Sequence, residues 1–594
     1  MNAAERIAAY LASKGLAQVF AVTGGGAMFL NQALAGHEGM KCTFMHHEQA
    51  CAMAAEGYAR IDGRPAIVNV TTGPGGLNAL NGVFGAFTDS IPMLVLSGQV
   101  KRATALAHTP VPGLRQLGDQ EVPITAMVGP IVKRAWAIGS LDELARALPE
   151  AVALATSGRP GPVWLDVPID LQSSTEAFDF IEPAAPEAPP APDVSTVLGW
   201  LAEAKRPLIL GGTGVRLAGA VDDLRELVEA SGIPLATAWT HDLIESSHPL
   251  FAGRPGTIGT RAGNICLQAA DLVIVIGSRL NIRQVSYNWG SFAKDARVVQ
   301  VDIDPAEFDK PLAKPTLTIT ADAKAFIAAL RAGIQAPAFA PWAVWCRDIA
   351  ARFPAMEPGN TSAPGLINPY RAVEALFEAL PDDGIVACGN ASACILPFQI
   401  SRLKRQQRLF SNSGSASMGY DLPAALGAAI AAPERRVVCL AGDGSLQMNV
   451  QELQTLKTLQ LNVAVVVLAN DGYLSIRLSH ENFFGRIVGA DRASGVDCPD
   501  YVALARAYGL QAVDIATPED LARLPELIQG HGPLLVQIHV DPAQGFSPKL
   551  KSRVDEHGKF MTPELDDMHP FLPAEELAEL RAQARGASSE GGRS

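Results

Sequence analysis

The stretch GDGSLQMNVQELQTLKTLQLNVAVVVLAN, residues 442–470, decides how the chain folds. An apolar run, VVCLA at 437–441, ends in the turn Gly442, Asp443, Gly444. An amphipathic segment follows, and a second apolar run, VAVVVLA, closes on Asn470. Strand, glycine turn, helix and strand make a βαβ unit. Its right-handed crossover puts both strands in one parallel sheet with their C-terminal ends on the same edge, so Asp443 and Asn470 converge despite their separation along the chain.

Convergence of two oxygen donors at a glycine-rich turn points to a cation-assisted phosphate site. Mg²⁺ prefers oxygen ligands and commonly takes few from the protein, completing its shell with phosphate oxygens and water. Asp443, the Asn470 side-chain oxygen and the Gly472 carbonyl form the expected ligand set. Gly444 and Ser445 offer backbone N–H groups and a hydroxyl to the phosphates. The Asp-Gly pair alone reads equally well as an Asx turn beside an ordinary glycine turn; the distant Asn470 tips the balance.

The same punctuation recurs along the chain. In the first segment VFAV precedes TGGGAMF (23–29), KCTFM precedes a helical pattern from His47 to Arg60, and AIVNVT precedes TGPGGLN. PLILGGTGV, DLVIVIGSR and RVVQVDIDP follow in the second segment; GIVACGNAS and RRVVCLAGDG follow in the third. This is α/β alternation, with three consecutive doubly wound parallel-sheet domains expected. Composition breaks at EPAAPEAPPAPD (182–193) and, more weakly, across 335–369 read as linkers. They divide the chain into 1–172, 194–334 and 366–545, followed by a tail, 546–594, whose closing GASSEGGRS predicts disorder.

Whole-chain properties agree with a multidomain enzyme: 594 residues, 48% hydrophobic, 18% charged, with 54 glycines and 42 prolines. A net charge of −13 without a Lys/Arg cluster argues against nucleic-acid binding. The eight cysteines are scattered without paired CxxC motifs, as expected of reduced thiols. The N-terminal segment carries Glu5 and Arg6 and lacks a signal-peptide core, and no apolar run is long enough to span a bilayer, so a cytoplasmic protein is expected.

With these motifs in place, the sequence resembles the thiamine-diphosphate-dependent decarboxylases and carboligases, whose cofactor motif opens with Gly-Asp-Gly and closes with Asn after a helix and strand. Ala469 stands where many relatives have another Asn. HHEQACAMAAEGYAR (46–60) resembles the segment carrying the cofactor-activating glutamate, which makes Glu48 the implied catalytic carboxyl, acting on the aminopyrimidine N1′. TTGPGGLNALNGVFGAFTDSIPMLVLSGQV (71–100) is similar to the acetolactate-synthase branch; through it Pro74 and Asn78 are implied cofactor contacts. Gly25, Gly26 and Ala27 match the small-residue loop beside the reacting carbon.

In the third segment SGSASMGYDLPAALGAA resembles the support for the pyrimidine, with Ala416 at a carbonyl contact and Met418 as the hydrophobic prop. CGNASA implies Asn390, Ala391 and Ser392 as a second diphosphate loop, and Tyr473 joins Gly442 to Ser445, Asn470 and Gly472 around the cofactor. The middle segment resembles a flavin-binding domain. Gly212, Gly214, Gly277, Ser278, Arg279, Arg283, Asp302 and Asp322 are implied FAD contacts in a structural role, with Asn281 replacing a usual Asp.

The resemblance further implies pyruvate or a similar 2-oxo acid as donor, with Gln120 in its pocket, and a homodimer or homotetramer whose sites lie between subunits. The acceptor stays open. Ile169 replaces a usual Lys and Ser479 a bulky Trp, and residues 470–509 with TPELDDMHPFLP resemble carboligases that include acetyl transfer to ketones and sugar ketones. Ser475, Ile476 and Ser479 are the implied acceptor-pocket residues. A flavin oxidoreductase and a noncatalytic family member are the remaining readings; neither accounts for Glu48 together with the GDG…N pair.

Overall fold

In the computed structural model, residues 1–587 are described except 186–188, 239–240, 312, 335–338 and 555–559. The end of the tail, 588–594, where disorder is expected, and part of the first linker lie outside the described residues.

Three parallel sheets follow one another along the chain. The first contains β1 (Gln18–Ala21), β2 (Lys41–Phe44), β3 (Ala66–Val70), β4 (Met93–Gln99), β5 (Ala135–Ala137) and β6 (Pro162–Pro168), in the order β2-β1-β3-β4-β6-β5. The middle sheet contains β7 (Pro207–Gly211), β8 (Leu235–Thr237), β9 (Leu272–Ile276), β10 (Arg297–Asp302) and β11 (Leu317–Thr320), ordered β11-β10-β9-β7-β8. The third contains β12 (Ile385–Cys388), β13 (Arg408–Phe410), β14 (Val437–Gly442), β15 (Val463–Ala469), β16 (Gln511–Ile515) and β17 (Leu534–His539), ordered β13-β12-β14-β15-β17-β16. In each sheet the first strand lies between the second and the third. Strand order therefore reverses at β1/β3, β7/β9 and β12/β14, and crevices open at the C-terminal strand ends there.

The strands read as unbroken apolar runs because both of their faces are buried. Val437, Cys439 and Ala441 of β14 enter a core shared with the first sheet's Val68, Val70 and Val95, while Val438 and Leu440 enter a separate core on the opposite face. At the shared core the helix Glu48–Asp62 crosses the helix Asp421–Ala431. A Cβ at Gly427 would sit 1.9 Å from the Ala54 carbonyl oxygen, so the two backbones approach only because that position is bare.

The middle core extends beyond 194–334. The passage from Gln335 to Pro369, read as a linker, contains the helix Ala340–Arg352, whose Trp342 and Trp345 pack with Leu565, Leu580 and Ala584 of the tail. Buried Arg261 donates to the carbonyls of Met568 and Pro570 and pairs with Glu357. The tail is thereby fastened to the middle sheet. Among the described residues no helix is long and apolar enough to cross a membrane.

Candidate functional site

Three adjacent strands of the third sheet, β12, β14 and β15, bring Asn390 to Ser392, Gly442 to Ser445, and Asn470 to Tyr473 to one edge. Asp443, 2% exposed, accepts from Gly444 N at 2.8 Å through Oδ1, and from Asn470 N at 2.9 Å and Gly472 N at 3.1 Å through Oδ2. Burial pushes its carboxyl above the ordinary range against these three N–H donors. The Asn470 Oδ1 is buried without a hydrogen-bond partner. An unpaired buried acceptor costs about 1–3 kcal/mol, and a cation at this point would remove that cost.

Among the described residues no cluster of three or more His, Cys, Asp or Glu side chains forms a metal cage. A cation here would draw on one carboxylate, an amide oxygen, a backbone carbonyl and the ligand's own oxygens, a donor set that fits Mg²⁺ rather than a thiolate or imidazole metal. Asp471 and Gly472 both have positive φ, 64° and 120°, and this kink brings the loop around Asp443. The Tyr473 ring lies against Gly444, where a Cβ would fall 2.2 Å from it.

The neighbouring loop carries an unpaired hydroxyl. Ala391, at φ 48°, turns the chain into the helix Ser392–Ile400, and the buried Ser392 hydroxyl has no partner. The Ser445 hydroxyl is committed otherwise. It accepts from Gly419 N and donates to Asp421, whose carboxyl burial pushes up to about 6. The hydroxyl expected at the phosphate is thus engaged within the protein, while among the described residues no side chain accepts from the Ser445 backbone N–H. Asn390 Nδ2 lies 3.4 Å from the Ala416 carbonyl, joining this loop to the one carrying Met418.

In the first sheet, adjacent strands β2, β1 and β3 present Glu48, the loop 24–27 and Pro74 at their C-terminal ends. Glu48 opens its helix, 8% exposed, and its Oε2 accepts from Asn78 Nδ2 at 3.0 Å. Pro74 occupies the first turn of the helix Pro74–Thr88. The Gln120 carbonyl rests on Gly73, which places Gln120 at the same edge. Gly26 is wedged: its N–H bonds Thr71 Oγ1, its carbonyl accepts from Gln172, and an added Cβ would meet Thr72. Gly25 faces open space, and Ala27 is buried beneath it.

A cavity of about 870 Å³ opens at the β7/β9 reversal. Gly212, Gly214, Gly277, Ser278, Arg279, Asp302 and Asp322 line it. Its size and its two glycine turns fit a dinucleotide. Arg283 is the exception: it lines a separate small cleft with Arg254 and Phe398, on the short helix Ile282–Val285 that Asn281 caps.

On the acceptor side, Ser475, Ile476 and Ser479 share the helix Leu474–Phe483 directly after the Asn470 loop. Ile476 is exposed, and the Ser479 hydroxyl bonds back to the Ser475 carbonyl. Buried Arg477, which the motifs do not mark, donates to the carbonyls of Asp471, Asn470 and Pro542. Tyr501 donates to the Asp443 carbonyl from a distant helix. An arginine in the first turn of the helix that follows the motif is a readable signal; Tyr501 carries none.

Residues 1–120 match the family described as thiamine pyrophosphate enzyme, N-terminal TPP binding domain; 194–330 match its central domain and 389–538 its C-terminal TPP binding domain. The chain belongs to the thiamine pyrophosphate enzyme family. It is 31% identical over 554 residues to the acetolactate synthase isozyme 1 large subunit of Escherichia coli (strain K12), covering 92% of this chain and 95% of that protein. The isozyme 2 large subunit of the same organism is 32% identical over 556 residues, 92% and 97% covered. The acetolactate synthase large subunit of Parasynechococcus marenigrum (strain WH8102) is 33% identical over 554 residues, 90% and 87% covered. Within the thiamine pyrophosphate enzymes the chain is thus acetolactate-synthase-like, a carboligase by family.

Proposed function

We propose that this enzyme is a thiamine-diphosphate- and Mg²⁺-dependent decarboxylating carboligase that takes pyruvate or a similar small 2-oxo acid as acyl donor and adds the acyl unit to a second carbonyl. The observation that carries the reading is the pairing of buried Asp443 with the unpartnered Asn470 Oδ1 at one strand edge, alongside a buried carboxyl, Glu48, held by Asn78 in the other cofactor domain.

Bound thiamine diphosphate supplies a nucleophilic carbon and an electron sink for decarboxylation. The chain's own residues do the rest. Asp443, Asn470 and the Gly472 carbonyl would hold Mg²⁺; Ser445 would offer the diphosphate its backbone N–H and Ser392 its hydroxyl, the Gly444 N–H being engaged by Asp443 Oδ1. Met418 and Ala416 support the pyrimidine, and Glu48 holds a proton at its N1′. The bare face of Gly25 leaves room at the reacting carbon, with Gln120 at the donor end. FAD in the middle cavity has a structural role. Exposed Phe84, Phe87 and Met448 support a homodimer or homotetramer that completes its sites between subunits.

A second reading, acetyl transfer to a ketone or sugar ketone, is favoured by Ser479 in place of a bulky residue. Purified protein with Mg²⁺, thiamine diphosphate, FAD and labelled pyruvate, with and without a ketone panel, separates the two by mass spectrometry of products. Acetolactate alone supports the first reading and a mixed tertiary alcohol the second. Absence of both CO₂ release and ligation in cofactor-loaded protein sinks both.

A further inference from the structure

The loop 411–418 lies between two sites. Its distal part carries Ala416 and Met418, and Ser413 lines the dinucleotide-sized cavity together with Thr88, Asp89, Ser90 and Arg279. Gly414 is the contact point: its N–H donates to Asp89 Oδ1 at 3.0 Å. A Cβ there would lie 2.4 Å from that oxygen, 2.8 Å from Thr88 Oγ1 and 3.0 Å from Arg279 Nη2. The loop backbone is thus gripped between the first domain's Asp89 and the middle domain's Arg279.

Asp89 is itself fixed. Its Oδ2 accepts from Arg60 Nη2 at 2.7 Å, and Arg60 also donates twice to Glu56, which accepts from Tyr420 at 3.2 Å. These four side chains tie the Glu48–Asp62 helix to the start of the Asp421–Ala431 helix. The loop, by contrast, is incompletely satisfied. The Asn412 amide is 1% exposed with neither Nδ2 nor Oδ1 paired, and Ala416 sits at φ 53°. Unpaired buried amides are rare, and a left-handed alanine is costly. A neighbouring ligand that fixes Arg279 against Gly414 would favour this loop geometry over others.

We propose that Asp89 is a positioning residue that couples occupancy of the dinucleotide cavity to thiamine diphosphate binding. A dinucleotide phosphate on Arg279 locks Gly414 onto Asp89, and the locked loop presents Ala416 and Met418 to the pyrimidine. The proposal rests on the reading of the cavity as an FAD site. Linkage then requires FAD to tighten thiamine diphosphate by the same factor by which thiamine diphosphate tightens FAD.

The test is a double titration of the cofactor-stripped full chain in Mg²⁺. Thiamine diphosphate affinity is measured by calorimetry with and without saturating FAD, and FAD affinity by flavin anisotropy with and without thiamine diphosphate. A mutual factor of about 10, within the usual range for coupled sites, is expected for the wild type. It should fall toward 1 in Asp89→Ala and be partly restored in Asp89→Asn, which still accepts from Gly414. A wild-type thiamine diphosphate affinity unmoved by bound FAD overturns the coupling and leaves the cavity reading standing. No anisotropy change with FAD overturns both. The full factor surviving in Asp89→Ala removes Asp89 from the link.

Discussion

Asn78 and Glu48 are tied across the N-terminal ends of two packed helices, amide Nδ2 to carboxylate Oε2 at 3.0 Å. The amide donates to one carboxylate oxygen and fixes the direction of the other. Glu48→Gln keeps the shape and removes the acid, so ligation should fall by about 100-fold or more while thiamine diphosphate still binds. Asn78→Ala leaves the acid but frees its orientation, and a loss of about 10-fold in kcat is expected. Steady-state rates beside calorimetric cofactor affinity check both. Equal losses in the two variants would mean that Asn78 does more than orient.

Arg477 holds the loop that bears Asn470 from behind, through the carbonyls of Asn470 and Asp471, while anchoring to Pro542. Groups that orient metal ligands without touching the metal typically contribute 10- to 100-fold in affinity. Arg477→Met should weaken Mg²⁺-dependent thiamine diphosphate binding by about that much, recovered in part by raising Mg²⁺. Chelation of the wild type should release the cofactor outright. A variant with unchanged Mg²⁺ dependence would show that the loop holds its shape without Arg477.

Much of this architecture is readable before any coordinates. Strands such as VVCLAG and VAVVVLA are apolar throughout because each face meets a core, and glycine turns at their ends mark the strand edges where sites form. That places Asp443 with Asn470; the pairing of Glu48 with Asn78 appears only in the structure. Side-chain commitments were harder. The Ser445 hydroxyl is taken by Asp421, a neighbour distant in sequence, and Arg283 lines a separate cleft with Arg254 and Phe398, elements that no local pattern brings together. Trp342 and Trp345 sit in a passage whose prolines and glycines read as a joint; only the tail packing over them makes them core.

Asp166 supplies a pH test independent of catalysis. It is buried on β6, accepting from Ser97 and Gln99, and burial pushes its carboxyl up to about 7 over the opposing effect of those hydrogen bonds, with Glu121 adding to the rise. A carboxyl whose folded value lies above its unfolded value of about 3.9 takes up a proton on folding. Its contribution is therefore full below about pH 4 and declines as pH rises through 7, by roughly 4 kcal/mol at most. Asp166→Asn removes that dependence. Melting temperatures of variant and wild type should diverge in favour of the variant from pH 5 to pH 8; parallel curves would show that Asp166 is ionised in the folded protein.

The acceptor side turns on one helical face. Ile476, Ser479 and Phe483 recur at three- and four-residue spacing, the spacing that stacks side chains along one side of a helix. Ile476 and Phe483 are exposed, at 45% and 72%, and the small Ser479 between them bonds back to its own helix at Ser475. Replacing Ser479 with Trp would fill the space between two apolar neighbours without removing any contact to another element. If this gap admits bulky ketones, Ser479→Trp should depress ketone ligation by about 10-fold or more through KM and kcat together, while pyruvate self-condensation stays within about 3-fold. Such discrimination is in the range that pocket volume alone can supply. Competition between pyruvate and a ketone in one vessel, read as a product ratio, measures it without needing separate rates. A ratio unchanged by the substitution would place acceptor choice elsewhere than on this helix.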